Sequence, residues 1–311
     1  MPSVTLLAAA KINLLLDVVG QLPDGYHGVA MLMQSVDLCD TVTLRRADRP
    51  GIVLHCDRPG LPLDHRNIAW KAAEIFATRF LPAGFWEREG LEICIEKRIP
   101  AAAGLAGGSA DGAAVLAGMR TLFSPEIRHQ DTELSLREAG AAVGADVPFC
   151  LTGGLCLALD IGSVLAPLPS LPAEFTILLA KPACDVSTRE AYAQIDGRFP
   201  ALRHPDWTAA THLALHRNWD RLFTHCGNVF EQVIDGPARV LIKSAMREHG
   251  ALLCQMSGTG PTVFGIFRDR SAAERCAEAV RPCAPTVFLC RPCETAIREA
   301  QPSLPRQRTE P

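Results

Sequence analysis

Apolar residues run almost unbroken from the start of the chain, as SVTLLAAAKINLLLDVV, with polar breaks at Lys11, Asn13 and Asp17. Residues 4–8 and 12–19 read as two strands, and Gly20 to His27 read as a turn, sharpest at Asp24‑Gly25. Residues 38–45 and 51–56 are two further strand-like runs. Behind Asn67, a good N-cap, Ile68, Ala72, Ile75, Phe76 and Phe80 recur near a helical period and predict a helix. Residues 90–99 alternate like a strand and deliver the chain into RIPAAAGLAGGSAD. After it, residues 109–122 are rich in alanine and leucine and lack proline, which predicts a tightly packed helix.

Residues 133–143 form another helical pattern, closed by Gly144 and followed by Ala145, Asp146, Val147 and Pro148, where proline opposes simple continuation. Short strands at 153–159 and 175–179 flank a proline-rich connector, 167–172, read as a domain boundary. Beyond it, helical patterns cover 207–223, 237–249 and 271–280. Strand-like runs cover 251–254, 261–267 and 286–290. The polar end from about residue 300 reads as disordered. The expected domains are 1–165 and 166–299, with 300–311 as a tail.

At 311 residues the chain is comfortable for two domains, and a formal net charge of −3 argues against a broad nucleic-acid surface. A small, possibly charged molecule is the expected partner. The N-terminal apolar run has no basic leader, and Lys11, Asn13 and Asp17 interrupt it short of a membrane-spanning length, so no membrane partner and a cytoplasmic location are expected. Twelve scattered cysteines fit reduced thiols. Of Cys276, Cys283, Cys290 and Cys293, only the last pair has zinc-like spacing, where a zinc ribbon needs two such pairs. Small core hydrophobes are the preferred reading.

Candidate chemistry gathers at three places. In RIPAAAGLAGGSAD, Gly104, Gly107 and Gly108 stand between a strand and a helix, whose free N–H groups and dipole suit a polyphosphate. Tight turning and close packing are the alternative. The order Gly‑x‑x‑Gly‑Gly disfavours a dinucleotide fold, and no lysine follows the glycines as in a Walker loop. Lys11 sits in an apolar run, where an ammonium is expensive unless it meets an anion or snorkels at an edge. Asn13, two residues on, shares its face of the strand. Asp146 either caps the next element or, paired with Lys11, takes a proton from an alcohol. The turn Ser257, Gly258, Thr259, Gly260 adds small residues and free N–H groups.

In this order, AAAKINL, PDGYH, RIPAAAGLAGGSAD, GADVPF and MSGTGPTVFG resemble the motifs of the GHMP kinase superfamily, from about residue 5 to about residue 295. The resemblance implies an α+β, two-domain GHMP kinase fold: an N-terminal domain like ribosomal protein S5 domain 2 and a ferredoxin-like C-terminal domain. It also implies an ATP-dependent phosphotransferase acting on an alcohol, with ATP and Mg2+ as cofactors. The nearest branch phosphorylates a cytidine-diphosphate-linked methylerythritol in non-mevalonate isoprenoid precursor synthesis. Carried over by motif, Lys11 and Asp146 are catalytic, with Asp146 as general base. Pro100, Ala101, Ala102, Ala103, Gly104, Leu105, Ala106, Gly107, Gly108, Ser109 and Ala110 match the ATP phosphate segment.

Asn13, Tyr26 and His27 match the substrate side, together with Lys11 and Asp146, and their ring types suit a cytosine. Tyr192 in VSTREAY is a second candidate for stacking on the base, a core or surface tyrosine being the alternative. Asn67 and Lys97 are expected near adenine or its ribose. Ser109 is the expected hydroxyl at a phosphate or magnesium shell, although no metal cage is readable. A monomer or weak dimer is expected. A kinase of another small alcohol and a non-catalytic nucleotide-binding member stay open as alternatives. One departure bears on nucleotide affinity: Ala106 stands in the first position of a run that has three glycines in the family, and Gly112 stands where alanine is common. A methyl group at 106 costs about 1 kcal/mol or more if that residue needs positive φ.

Overall fold

The computed structural model describes residues 1–23, 25–127 and 133–300. Asp24 of PDGYH and the predicted tail from 301 onward lie outside the described residues.

Two sheets organise the chain. The first has the order β11 (Ile297–Glu299), β1 (Ser3–Gln21), β2 (His27–Ala47), β4 (Gly90–Glu96), β3 (Gly51–Cys56), with β5 (Leu155–Leu159) and β6 (Val164–Leu168) continuing from the other end of β2. Its backbone is the antiparallel pair β1 (Ser3–Gln21) and β2 (His27–Ala47). The two predicted runs at 4–8 and 12–19 are thus one strand, and the run at 38–45 is the far half of another. Register shifts at Ala9/Ala10 and Asn13/Leu15 let β1 bend without stopping at its polar residues. β3 (Gly51–Cys56) lies parallel to β4 (Gly90–Glu96), and β5 (Leu155–Leu159) pairs with β6 (Val164–Leu168), which runs into the first two residues of the expected connector.

The strand expected over 90–99 stops at Glu96 for a polar reason. The next three N–H groups leave the ladder: Lys97 donates to Asp57 Oδ1 at 2.9 Å, while Arg98 and Ile99 donate to Asp40 Oδ1 at 2.6 and 2.8 Å. Asp40, fully buried on β2, therefore decides where the glycine loop begins.

Helices α1 (Ile68–Phe80), α2 (Gly107–Leu122), α3 (Glu133–Val143) and α4 (Val147–Thr152) pack with the first sheet, their apolar faces joining its core. Asn67 caps α1 as expected, its Oδ1 accepting from Ala69 N at 2.9 Å. α2 starts two residues earlier than predicted. α4 was not expected, yet Pro148 falls in its first turn, where a helix needs no donor.

The second sheet, in the order β10 (Thr286–Cys290), β7 (Thr176–Lys181), β9 (Val263–Phe267), β8 (Leu253–Met256), is antiparallel throughout. β7 (Thr176–Lys181), α8 (Pro237–Glu248), β8 (Leu253–Met256), β9 (Val263–Phe267), α9 (Arg270–Val280) and β10 (Thr286–Cys290) follow the ferredoxin-like order βαββαβ. Between β7 and α8 stand α5 (Thr188–Arg198), α6 (Trp207–Leu215) and α7 (Trp219–His225). α5 escaped the pattern because only Ala191 and Ile195 of it are buried. The single helix expected over 207–223 breaks where Arg217 takes φ 55° and Asn218 N turns back to Leu213 O. Finally β11 (Ile297–Glu299), also unforeseen, returns the chain to the first sheet beside β1. All twelve cysteines are free thiols, Cys276 and Cys290 buried and Cys283 and Cys293 half-buried. Among the described residues no helix is long and apolar enough to cross a membrane.

The two sheets are tied by buried side chains. Gln255 of β8 donates through Nε2 to Asn13 O and Leu14 O, at 2.9 and 2.8 Å. Asn228 donates to Met256 O and Gly258 O, both at 2.8 Å. Gln255→Leu leaves two buried carbonyls of β1 without donors and should destabilise the chain by about 1–3 kcal/mol per lost bond, read as a lower urea midpoint. An unchanged midpoint would show that this tie carries no stability.

Candidate functional site

Lys11 lies near the middle of β1 with its side chain 5% exposed, so its ammonium depends on what surrounds it. It donates to Asn13 Oδ1 at 2.7 Å, the same-face contact that the strand period allows. Asn13 is itself fully buried, and its Nδ2 points at Met31 Sδ, 3.3 Å away. The opposite charge comes from Asp146, whose Oδ2 stands 3.7 Å from Lys11 Nζ.

Asp146 occupies the N-cap position of α4, but its φ and ψ are −84° and −10° and its side chain makes no cap hydrogen bond. The capping alternative therefore fails. A carboxylate 30% exposed is left facing Lys11 and solvent.

The glycine loop stands directly behind this pair. Lys11 N donates to Leu105 O at 3.1 Å, and the turn at 257–260 closes on the loop from the other side. Ser257 Oγ donates to Gly104 O at 2.9 Å. A Cβ on Gly104, at φ 73°, would stand 2.1 Å from Ser257 O, so only glycine fits there. A Cβ on Gly258 would come 3.3 Å from Gly104 Cα and 3.6 Å from Lys11 Nζ. Three segments far apart in sequence thus meet within contact distance.

Two cavities flank the meeting point. One, of about 540 Å³, is lined by Pro100 to Gly104, by Ala106 to Ser109 and by Asn67 and Lys97. The first-turn residues of α2 sit in its wall, and the cap residue Ala106 offers their N–H groups no side-chain bond. Unbonded N–H groups at the positive end of a helix dipole suit an anion. The other cavity, of about 280 Å³, holds Lys11, Asp146, Tyr192, Gly258 and Thr259. Ala102, Gly104, Ala106 and Thr188 belong to both walls.

Of the loop residues expected to meet ATP, Leu105 and Ala110 are buried behind the surface, Leu105 serving through its carbonyl. Asn67 lines the larger cavity while its amide is engaged by Ala69 N and Pro62 O. His27 and Tyr26 line neither cavity wall, but His27 lies against Tyr192, ring centroids 4.6 Å apart, which puts it at the rim of the smaller one. Its Nε2 is 2.7 Å from Asp196 Oδ1. Tyr26 is 65% exposed. Burial, and then the charge of Asp146, push the Tyr192 phenol up to about 12, so it remains a neutral donor.

Sequence reasoning passed over the acidic pair beneath the loop. Lys97 Nζ bonds Asp111 Oδ2 at 2.6 Å and also pairs with Asp40. An aspartate within the apolar strand pattern of β2 was the available signal. Two buried carboxyl groups meet one ammonium. Burial, with the charge of Asp40 in support, pushes the Asp111 carboxyl up to about 8 against the pull of Lys97, and its Oδ1 has no partner.

Ala106 takes φ 57°, so the left-handed condition noted for its methyl group is met. Ala102 at φ 48° adds a second instance in the same loop.

The comparisons with known proteins fall on these elements. The model described as GHMP kinases N terminal domain matches residues 67–154, and the one described as GHMP kinases C terminal matches residues 237–284. A 4‑diphosphocytidyl‑2‑C‑methyl‑D‑erythritol kinase of Gloeobacter violaceus is 41% identical, covering 96% of this chain and 97% of its own. The chain belongs to the GHMP kinase family. A relative of the same name from Clostridium tetani is 40% identical over 86% of this chain and 92% of its own. A solved 4‑(cytidine 5'‑diphospho)‑2C‑methyl‑D‑erythritol kinase superposes with a TM-score of 0.74 at 29% identity, covering 93% of this chain and 98% of that one. A homoserine kinase from Cytophaga hutchinsonii, 20% identical with a TM-score of 0.73 over 96% of this chain and 98% of its own, shares the fold. The two-domain kinase fold implied by the motifs is the fold found.

Two predictions follow from this GHMP kinase's site. Ala106→Gly removes a left-handed Cβ and should stabilise the chain by up to about 1 kcal/mol in urea unfolding while lowering the Kd for ATP. A variant weaker on both counts would contradict the strain. For Asp111 the folded chain holds a proton that the unfolded chain releases above its ordinary value of 3.8. The resulting stabilisation is full below that pH and is lost as pH rises towards about 8. Asp111→Asn abolishes that loss. Its melting temperature relative to the unsubstituted chain should rise between about pH 5 and pH 8, and a constant difference would refute the assignment.

Proposed function

We propose that this GHMP kinase transfers the γ-phosphate of ATP to the 2-hydroxyl of 4‑diphosphocytidyl‑2‑C‑methyl‑D‑erythritol, a step of non-mevalonate isoprenoid precursor synthesis. The observation that carries the reading is the Lys11–Asp146 pair in a cavity that shares the wall Ala102, Gly104, Ala106 and Thr188 with the glycine-loop cavity. A nucleotide whose phosphates lie on the α2 N-terminus has its terminal phosphate directed at that wall, and an acceptor hydroxyl beside Asp146 reaches it from the other side.

Asp146 takes the proton of the acceptor hydroxyl as its oxygen attacks the γ-phosphorus in line and ADP departs. Lys11, 3.7 Å from that carboxylate, steadies the developing alkoxide. Asn13 holds the ammonium from behind. Tyr26, His27 and Tyr192 receive the cytosine, with the neutral Tyr192 phenol adding no charge that would repel the substrate diphosphate.

Magnesium fits the donors present. A cation that keeps several waters and takes phosphate oxygens needs only one or two protein oxygens, and Ser109, which lines the nucleotide cavity, carries such an oxygen. When bound it neutralises phosphate charge. Asn67 and Lys97, which line the same cavity, take the adenine or ribose end in this reading. The enzyme works in the cytoplasm as a monomer or weak dimer.

Asp146→Asn should keep ATP and acceptor affinities within a few-fold and lower kcat by about a hundredfold or more, measured by ADP release coupled to the cytidine substrate. Near-normal turnover would overturn the general base. Turnover of homoserine or mevalonate phosphates in place of the cytidine substrate would overturn the acceptor.

A further inference from the structure

Among the residues lining both cavities, Ala102, Gly104 and Ala106 have no polar side-chain atom, and Thr188 has a hydroxyl. That hydroxyl lies 3.1 Å from Thr259 Oγ1, the two forming one hydrogen bond. Thr259 lines the catalytic cavity in the turn whose neighbouring Gly258 approaches Lys11 Nζ and the glycine loop. Thr188 is the first residue of α5, held by the Ser187 cap, whose Oγ accepts from Glu190 N. Two hydroxyls from separate elements of the second half of the chain thus face each other where the nucleotide cavity opens onto Asp146.

We propose that Thr188 and Thr259 are phosphoryl-contacting residues: their hydroxyls exchange their mutual hydrogen bond for bonds to the equatorial oxygens of the group passing from ATP to the acceptor. This rests on the kinase reading above. The acceptor oxygen forms a bond to phosphorus as the bond from phosphorus to the ADP oxygen breaks, and the acceptor proton goes to Asp146. The two hydroxyls keep their protons throughout. Charge spread over the equatorial oxygens in transit rewards donors placed there in advance. A glycine turn and a capped helix start are rigid supports for them. Lys11 serves the acceptor side, and the α2 N-terminus serves the phosphates that stay with ADP.

The hydroxyls then meet only the phosphate that moves, so they should distinguish ATP from ADP. Thr188→Val, Thr259→Val, the double variant and Thr188→Ser are compared for kcat, for KM of the acceptor, and for the Kd of ADP and a non-hydrolysable ATP analogue by calorimetry. Each valine variant should lower kcat by about a hundredfold, with the double variant falling short of the product of the singles. KM for the acceptor and Kd for ADP should stay within about twofold while the ATP analogue weakens, and Thr188→Ser should restore most of kcat. Equal weakening of ADP and the analogue, or a Thr188→Val variant of ordinary kcat, would overturn the proposal. Melting temperatures report folding separately, and the binding measurements need no acceptor. An unsubstituted chain that binds the analogue but fails to turn over the cytidine substrate would refute the acceptor assignment alone.

Discussion

One ammonium group buried near the middle of a long strand sets the arrangement of this molecule. Lys11 has little solvent to hydrate it, and a buried charge needs a partner and hydrogen bonds to persist. Asn13 supplies the hydrogen bond from the same strand and Asp146 the charge from α4. The glycine loop lies against the strand through Leu105, and the turn at Gly258 closes over it from the second sheet. Each of these approaches requires the others. Gly104 is pressed by Ser257, which itself accepts from Asn13 N at 3.3 Å.

The charge supplied elsewhere by a lysine in the phosphate loop is distributed differently here. The helix α2 provides the uncapped N–H groups, and Lys97, at the loop entry, is paired with Asp40 and Asp111 beneath it. Lys97 therefore braces the loop entry. Lys11, the other buried ammonium, stands beside the Asp146 carboxylate instead. This division suits a reaction in which positioning and charge neutralisation supply most of the acceleration and little covalent chemistry is asked of the protein.

Legibility followed period and punctuation. The helix at α1 with its Asn67 cap, the helix at 133–143 and the strands at 51–56 and 286–290 were readable because their apolar spacing and boundary residues agree. β1 was not readable as one strand, because bulges carry it past polar residues that look like breaks. α5 has almost no buried face, and β11 is a strand only because the edge of β1 is there to receive it. At the site, Lys11, Asp146 and the glycine loop stood out as charges or glycines in unexpected company. Thr188 and Asp40 did not, since a threonine at a helix start and an aspartate in a strand have ordinary explanations.

What the sequence determined by itself was the inventory: a lysine and asparagine on one face of a strand, a glycine loop entering a helix, an aspartate before a proline, and a second glycine turn, in an order that marks a GHMP kinase. Those are local properties, fixed by side-chain period and by backbone freedom at glycine. The tertiary structure decided which of them meet. It removed Asp146 from capping duty, gave Ala106 its left-handed conformation, and set Thr188 opposite Thr259 across the wall that two cavities share. Such encounters depend on how two sheets pack through buried contacts like that of Gln255 with β1, and the spacing of residues along one chain does not encode that packing.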